Sequence, residues 1–219
     1  MAADRTHRTW AEIDLDAIAH NLREIRRHTD RTAQIMAVVK ADAYGHGAPQ
    51  VAREALAHGA SWLAVAMLEE AIELRRQDIK APILILSDNE PECAETVVAC
   101  DVRQAVSSYD MARRLSEAAG RLGKRARIHL KIDTGMGRIG FSPEQAPAEA
   151  ERIARLDGIE IEGIFTHFAV ADESSEDADR YTERQYRTFC ETCERIEQER
   201  HIHIPVSYTH LRAHETTLH

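Results

Sequence analysis

The chain has few of the features that mark secreted, membrane-spanning or nucleic-acid-binding proteins. Its four cysteines in 219 residues are too few for a disulfide scaffold. It contains no run of about 18 apolar residues that would predict a membrane-spanning helix, and its polar N-terminus has no signal-peptide core. The net charge of -9 leaves no basic surplus to neutralise phosphates. These absences predict a cytoplasmic protein that binds neither nucleic acid nor a membrane surface.

The residues that are present suit one large globular domain with a sizeable core. Hydrophobic residues make up 43% of the chain and charged residues 30%, as in ordinary globular proteins. Short apolar runs alternate with segments of helical periodicity. The predicted strands are 9–14, 35–40, 62–66, 83–86, 102–106, 127–132 and 159–165. The predicted helices after the N-terminal one are 48–57, 69–76, 91–99, 109–119 (with Gly120 as its stop), 143–156 and 177–200.

This alternation predicts a parallel α/β sheet with helical crossovers. Six predicted strands follow the N-terminal one, and each is followed by a helix. Such a sheet is either open and doubly wound or closed as an eight-fold barrel. A closed barrel needs two more strand–helix units than this count provides.

The last residues break the pattern. From about Val206 onward the sequence has neither helical nor strand periodicity, and residues 207–216 closely resemble a translated sequencing-adapter read-through. We therefore expect residues 207–219 to be a foreign, unstructured tail. The histidines of that tail are no evidence for a metal site.

The most informative stretch runs from Ile35 to Gly47. Lys40 stands where an apolar run, typical of a buried strand, gives way to a polar turn rich in glycine. Burial favours the neutral form of an amine, and a neutral amine can form a Schiff base with an aldehyde. An isolated lysine at a strand end would more simply extend its ammonium into solvent. The motifs elsewhere in the chain decide between these two interpretations.

Other polar side chains also follow predicted strands. Lys40 and Tyr44 follow the first barrel strand, Arg138 follows the fifth within a glycine-rich segment, and His167 ends the sixth. Ligands of parallel α/β folds bind at the carboxyl edge of the strands, whether the sheet is open or closed. We therefore expect these four side chains at one edge of the sheet.

Three segments carry a resemblance to a known family. The segment from Val38 to Gly47 resembles the pyridoxal-phosphate attachment signature of alanine racemases. Leu130 to Gly140 and Gly163 to Phe168 resemble two further blocks of that family in the same order, and 9–14 also fits. The resemblance covers residues 8 to 205.

The resemblance implies a parallel (β/α)8 TIM-type barrel of the alanine racemase kind, with about six of its eight units. Residues 1–206 would form this partial pyridoxal-phosphate-binding barrel, and the family's C-terminal β domain would be absent. That domain supplies the second base of the family across a dimer interface. We therefore expect the 219-residue chain to be inactive, or nearly so, by itself.

The resemblance also implies roles for five residues. Lys40 would hold pyridoxal 5'-phosphate covalently and act as the base on the D-face of the substrate. Tyr44 would bond the cofactor phosphate, and Arg138 would contact the cofactor's phenolic oxygen and the substrate carboxylate. His167 would lie beside the pyridine ring. Lys131 falls where many family members carry a carbamylated lysine that orients the arginine.

The implied function is the interconversion of L- and D-alanine for peptidoglycan supply by a homodimer. Two alternatives share the lysine. One is a non-catalytic pyridoxal-phosphate carrier, a single barrel of about this length, although its lysine block differs. The other is a serine/alanine racemase, which this sequence does not distinguish from an alanine racemase.

Two further patterns are weaker. The glycines within 135–140 match the dinucleotide-binding spacing, but Glu160, the candidate ribose-binding acid, begins its strand rather than ending it. Cys190 and Cys193 lie one helical turn apart, and their distance to the next histidines fits no standard zinc finger. We expect neither a nucleotide site nor a metal site.

Overall fold

The computed structural model describes residues 9–210. Seven strands of this part form one sheet, and the order of the strands in the sheet follows their order in the chain. The strands are β1 (Met36–Val38), β2 (Trp62–Val65), β3 (Ile83–Ile85), β4 (Arg103–Val106), β5 (Ala126–Lys131), β6 (Ile159–His167) and β7 (Val206–His210). β1 pairs with β2 in parallel, and from β3 to β7 each strand pairs in parallel with the next.

Helices connect the strands. They are α1 (Leu15–His28), α2 (Lys40–Gly45), α3 (Ala48–Ala57), α4 (Leu68–Arg76), α5 (Ala94–Ala99), α6 (Tyr109–Leu122), α7 (Ala146–Ala154) and α8 (Glu176–Arg200). A 3₁₀ turn (Pro91–Cys93) precedes α5. None of the helices within residues 9–210 combines the length and the apolar character needed to span a bilayer.

The strand order resolves the two sheet types that the sequence left open. A doubly wound sheet reverses its strand order at a switch point, whereas a (β/α) barrel adds its strands in chain order. The sheet here runs from β1 to β7 without a reversal. The predicted fold class, a partial (β/α) barrel, is confirmed.

The strand predicted at 9–14 is wrong. These residues have no regular secondary structure, and Trp10 is exposed. The alternation of polar and apolar residues there covers no core, so nothing favours an extended pairing. Asp14 instead caps α1, because its carboxylate accepts a hydrogen bond from the Ala17 N–H at 3.1 Å.

Part of the predicted unstructured tail is a strand. Residues 206–210 pair with β6 from Gly163 to His167. β6 is a long strand, and its edge presents backbone donors and acceptors that any extended segment can satisfy, whatever its sequence. The remaining residues of the predicted tail, 211–219, lie outside the described part.

Two helix ends differ from the prediction. Gly120 lies inside α6, which continues to Leu122 and ends where Gly123 adopts a left-handed conformation with φ 60°. α7 begins at Ala146 rather than at Pro143, because the preceding residues form a turn on Ser142.

The described residues divide into two compact units, and the boundary lies inside β3, after Ile83. In the first unit a small apolar cluster contains Leu22, Ile35, Ala55 and Ala60. In the second unit the strands and helices bury large aliphatic side chains completely, among them Leu115, Ile128, Leu130, Ile153 and Ile164.

Candidate active site

The first group of candidate residues follows β1 in the first unit. The N–H of Val39, which is 1% exposed, donates to the Ala64 carbonyl at 2.8 Å and extends the sheet pairing by one residue. Lys40 comes next and begins α2, and its Nζ lies 5.9 Å from the centroid of the Tyr44 ring. The predicted pair is therefore together at the carboxyl end of a strand.

α2 is a left-handed helical turn. Ala41, Asp42, Ala43 and Tyr44 have φ between 51° and 56° and ψ between 37° and 49°. This conformation costs L-residues roughly 1–2 kcal/mol each, so other contacts must hold the turn. The sequence predicted a polar turn here, and only the nearby glycines hinted at an unusual backbone.

Hydrogen bonds on both sides of the turn fix its shape. The Ala43 N–H donates to the Val39 carbonyl at 3.0 Å, and the Gly47 N–H donates to the Asp42 carbonyl at 2.9 Å. The Asp42 carboxylate accepts from the Ala48 N–H at 2.6 Å, at the start of α3. The turn is thereby tied to the strand before it and to the helix after it.

The second group of candidate residues follows β5 in the second unit. The Asp133 carboxylate accepts hydrogen bonds from the N–H groups of Gly135, Gly137 and Arg138, each at 3.0 Å. Burial alone would raise the pKa of Asp133, but these donors and the Lys131 charge bring it below its ordinary value. The ionised carboxylate therefore preforms the loop that presents the exposed Arg138.

Lys131, at the end of β5, is a buried amine. It is 3% exposed, and its Nζ donates to the Ile132 carbonyl at 2.8 Å. Burial, together with the charge of Arg138 and against the opposing charges of Asp133 and Asp88, lowers the pKa of Lys131 to about 8. The charge of Arg138 therefore acts on Lys131, and a fraction of the Lys131 amines is neutral near pH 7.

The end of β6 lies beside this loop. The hydroxyl of the buried Thr166 donates to the Ile132 carbonyl at 2.9 Å and forms a second hydrogen bond with the Thr134 hydroxyl at 2.8 Å. His167, the last residue of β6, is 7% exposed. These bonds bring the loop of Arg138 and the strand end at His167 together.

Sequence reasoning missed a buried amide that also joins these two segments. Gln185 of α8 is 1% exposed; its amide N–H groups donate to the Thr134 hydroxyl at 3.4 Å and to the His167 carbonyl at 3.3 Å. Its amide oxygen accepts from the Ala169 N–H at 2.9 Å. A polar residue in the buried face of α8, one turn before Phe189, is the signal that could have identified it.

The comparisons with known proteins agree on one family. Residues 13–219 match the family model of the alanine racemase N-terminal domain. The chain is 47% identical over 191 residues to the alanine racemase of Desulforamulus reducens, a match that covers 87% of this chain and 51% of that protein. It is 44% identical over 196 residues to alanine racemase 2 of Caldanaerobacter subterraneus, with 89% and 50% covered.

Solved structures give the same result. The alanine racemase of Clostridium difficile 630 superposes with a TM-score of 0.86 at 37% identity, over 94% of this chain and 53% of that one. Its complex with cycloserine superposes with a TM-score of 0.86 at 38% identity, over 93% and 55%. The chain spans about half the length of the curated relatives that it matches. On this family match, strand order and likeness to solved structures, the chain belongs to the alanine racemase family and carries its N-terminal domain.

Proposed function

We propose that the whole protein containing this domain racemises alanine with pyridoxal 5'-phosphate held by Lys40. The position of Lys40 directly after Val39, the buried residue that follows β1, inside the segment that resembles the attachment signature, carries this proposal. The names of the relatives, all alanine racemases, support the reaction and the substrate. As the resemblance implies, we also propose that the protein acts in the cytoplasm as a homodimer and supplies D-alanine for peptidoglycan.

The side chains fit this cofactor by their chemistry. Lys40 offers a primary amine to its aldehyde, and Tyr44 offers a phenol to its phosphate. Arg138 offers a guanidinium to its phenolic oxygen, and His167 offers an imidazole beside its ring. When bound, the cofactor draws electrons from the substrate α-carbon and makes that carbon's proton acidic.

The protein supplies proton transfer and orientation. In its neutral form the Lys40 amine takes the α-proton on the D-face of the substrate and, once protonated, returns a proton there. As the resemblance implies, the guanidinium of Arg138 would bind the substrate carboxylate. The left-handed turn after Lys40 holds the position of that residue's backbone.

We further propose that Lys131 is carbamylated. Its neutral amine attacks carbon dioxide, forming an N–C bond and releasing one proton, and the product carries a negative charge. That charge would pair with the nearby guanidinium of Arg138 and hold it for the substrate carboxylate.

The proposal is tested first by cofactor capture on this chain. After incubation with pyridoxal phosphate and borohydride reduction, peptide mass spectrometry should find the cofactor on Lys40. The Lys40→Ala variant should capture none at any specific site, whereas Lys80→Ala, which removes an exposed lysine paired with Asp78, should capture it normally. Equal capture by both variants would overturn the role of Lys40.

The reaction is tested on the full-length gene product by coupled D-amino-acid detection. D-alanine formed from L-alanine and lost in the Lys40→Ala variant is the expected result. Cofactor capture without turnover would instead identify a carrier protein. If serine reacts faster than alanine, serine rather than alanine is the preferred substrate.

A further inference from the structure

One carboxylate in the first unit receives three backbone hydrogen bonds from two different segments. Oε2 of Glu70 accepts from the N–H groups of Ala66 at 2.7 Å and Met67 at 3.0 Å. Oε1 of the same side chain accepts from the Ala41 N–H at 2.5 Å. Ala41 is the first residue of the left-handed turn and directly follows Lys40.

The two carboxylate oxygens of Glu70 accept hydrogen bonds from different segments. The bonds from Ala66 and Met67 belong to the start of α4, where a glutamate at the third helical position closes a capping box. The bond from Ala41 joins residues 29 positions apart and contributes nothing to capping α4. A helix cap explains one oxygen of this carboxylate, and the second oxygen needs another explanation.

The position of that second bond supplies the explanation. The Ala41 N–H belongs to the peptide group that links Lys40 to Ala41, so its direction sets the orientation of the Lys40 backbone. The peptide group before Lys40 is held separately, because the Val39 carbonyl accepts from the Ala43 N–H, and the bonds of Asp42 and Gly47 lie farther along the turn. Glu70 therefore holds the peptide group after Lys40, and it holds it with a charged acceptor, which strengthens the bond.

We propose that Glu70 is a positioning residue for Lys40. By binding the peptide N–H that follows the lysine, it keeps the left-handed turn in place and directs the Lys40 amine toward the cofactor aldehyde. This inference rests on the proposed function for its cofactor, although the contact itself does not depend on any ligand. The role belongs to the carboxylate, because an amide cannot accept at both ends.

The variant Glu70→Gln separates this role from helix capping. Glutamine has one acceptor oxygen, which can still close the capping box with Ala66 and Met67. Its NH₂ group would then face the Ala41 N–H, donor against donor, and the bond to the turn would be lost. The matched control is Glu69→Gln, which removes the same charge from the neighbouring, exposed position in the same turn of α4.

Three measurements are made on the full 219-residue chain and on both variants. The first is the pyridoxal phosphate concentration that half-saturates Lys40, determined by borohydride reduction and peptide mass spectrometry. The second is amide hydrogen exchange at Ala41. The third is the midpoint of thermal unfolding, which reports the cap.

We expect Glu70→Gln to raise the half-saturating concentration about ten-fold and to speed exchange at Ala41 by a similar factor, since one hydrogen bond to a charged acceptor is lost. Its unfolding midpoint should fall by only about 3–6 °C, the cost of the one lost hydrogen bond, because the capping box is kept. Glu69→Gln should match the parent in all three measurements. Unchanged capture and exchange in a folded Glu70→Gln chain would overturn the proposal, as would equal effects of the two variants.

Failure of the proposed function can be told apart from failure of this inference. If the parent chain captures no cofactor on Lys40, the proposed function fails, and Glu70 is then judged by exchange and by the labelling rate of Lys40 with trinitrobenzenesulfonate. If Glu70→Gln does not fold, amide hydrogen exchange in the parent chain tests whether Glu70 binds the Ala41 N–H. There the Ala41 amide should exchange at least about ten-fold more slowly than that of exposed Asp42, and equal rates would refute the contact.

Discussion

At the scale of single residues, the burial of Lys131 has a measurable chemical result. A pKa of about 8 leaves roughly a tenth of this amine neutral at pH 7 and most of it neutral at pH 9. Carbamate formation requires the neutral amine, so uptake of carbon dioxide should rise over this range. Carbon-13 NMR in labelled bicarbonate should show, beside the carbamate of the N-terminal amine, a second carbamate signal that disappears in Lys131→Met.

The exposed lysines give the control for this experiment. Lys80 lies in the exposed pair with Asp78, and replacing it should leave the carbamate signal intact. If the second carbamate signal survives in Lys131→Met, or is lost in Lys80→Met, the assignment to Lys131 is contradicted.

Two glycines provide a matched pair for backbone strain. Gly140 has φ +132°, and a Cβ there would lie 2.6 Å from the Asp133 nitrogen and 2.8 Å from the Ile132 carbonyl carbon. Gly140→Ala should therefore destabilise the chain by about 2–3 kcal/mol and disturb the loop that carries Arg138. Gly120→Ala lies inside α6 with nothing within 4 Å of the new Cβ, and it should stabilise by about 0.5–1 kcal/mol.

Urea unfolding of both glycine variants measures the two changes. We expect the free energy of unfolding to fall in Gly140→Ala and to rise in Gly120→Ala. A neutral Gly140→Ala variant would mean that the glycine-rich loop can move away from Asp133 at little cost.

At the scale of elements, strands β4, β5 and β6 share a half-buried ion pair. Arg103 donates from Nε to Glu162 Oε2 at 2.9 Å and from a terminal nitrogen to Oε1 at 3.2 Å. The His129 ring lies 3.4 Å from the same carboxylate. Burial alone would raise the pKa of Glu162, but the hydrogen bonds from His129 and Arg103 lower it to about 2.

This ion pair predicts how stability depends on acid. The pKa of Glu162 is lower in the folded chain than its ordinary 4.5, so its contribution is complete above pH 4.5 and is lost as the pH falls toward 2. The difference corresponds to roughly 3 kcal/mol. Glu162→Gln should lower stability near pH 7 by a similar amount and flatten the loss of stability between pH 5 and 2.

The control for this prediction lies on the same strand. Glu160 is partly exposed, and its nearest arginine contacts are longer than 3.5 Å, so Glu160→Gln should keep the acid dependence of the parent chain. Urea unfolding at a series of pH values measures both variants. Parallel curves for the parent and Glu162→Gln would show that other carboxylates control acid unfolding.

These elements also show what the sequence could and could not reveal. The helix predicted at 177–200 differs from α8 by one residue, because its start depends on neighbouring residues only: the Ser175 side chain accepts from the Ala178 N–H. The false strand at 9–14 shows that alternation alone does not supply a pairing partner. The left-handed turn at Ala41 could not be predicted, since the contact from Glu70 comes from a distant segment. Gln185 was missed because its partners are brought together only by the fold.

At the scale of the whole molecule, the added strand β7 fits its neighbours imperfectly. The Tyr208 ring stacks on Phe165 with centroids 4.9 Å apart and an interplanar angle of 4°. Its hydroxyl is buried and has no hydrogen-bond partner within residues 9–210, and burial raises the pKa of Tyr208 well above its ordinary value. A buried hydroxyl without a hydrogen-bond partner is costly, so β7 is imperfectly accommodated at Tyr208.

Removing that hydroxyl should therefore stabilise the chain. We expect Tyr208→Phe to raise the free energy of unfolding by about 1 kcal/mol. The control is Tyr181→Phe. The Tyr181 hydroxyl donates to the Gly135 carbonyl at 2.7 Å, so its removal should lower the free energy of unfolding by about 1 kcal/mol. Destabilisation by both variants would mean that Tyr208 is well accommodated, and resequencing the gene beyond codon 206 would test the origin of the tail directly.

The left-handed turn has one more consequence, which concerns chirality. The backbone of Ala41 lies in the region that a D-amino acid prefers, and its side chain is exposed. A chain assembled by chemical ligation with D-alanine at this position should melt at a higher temperature than the natural one. A domain that we propose serves the production of D-alanine thus contains a site where that enantiomer would suit its own backbone better than the L-residue encoded by the gene.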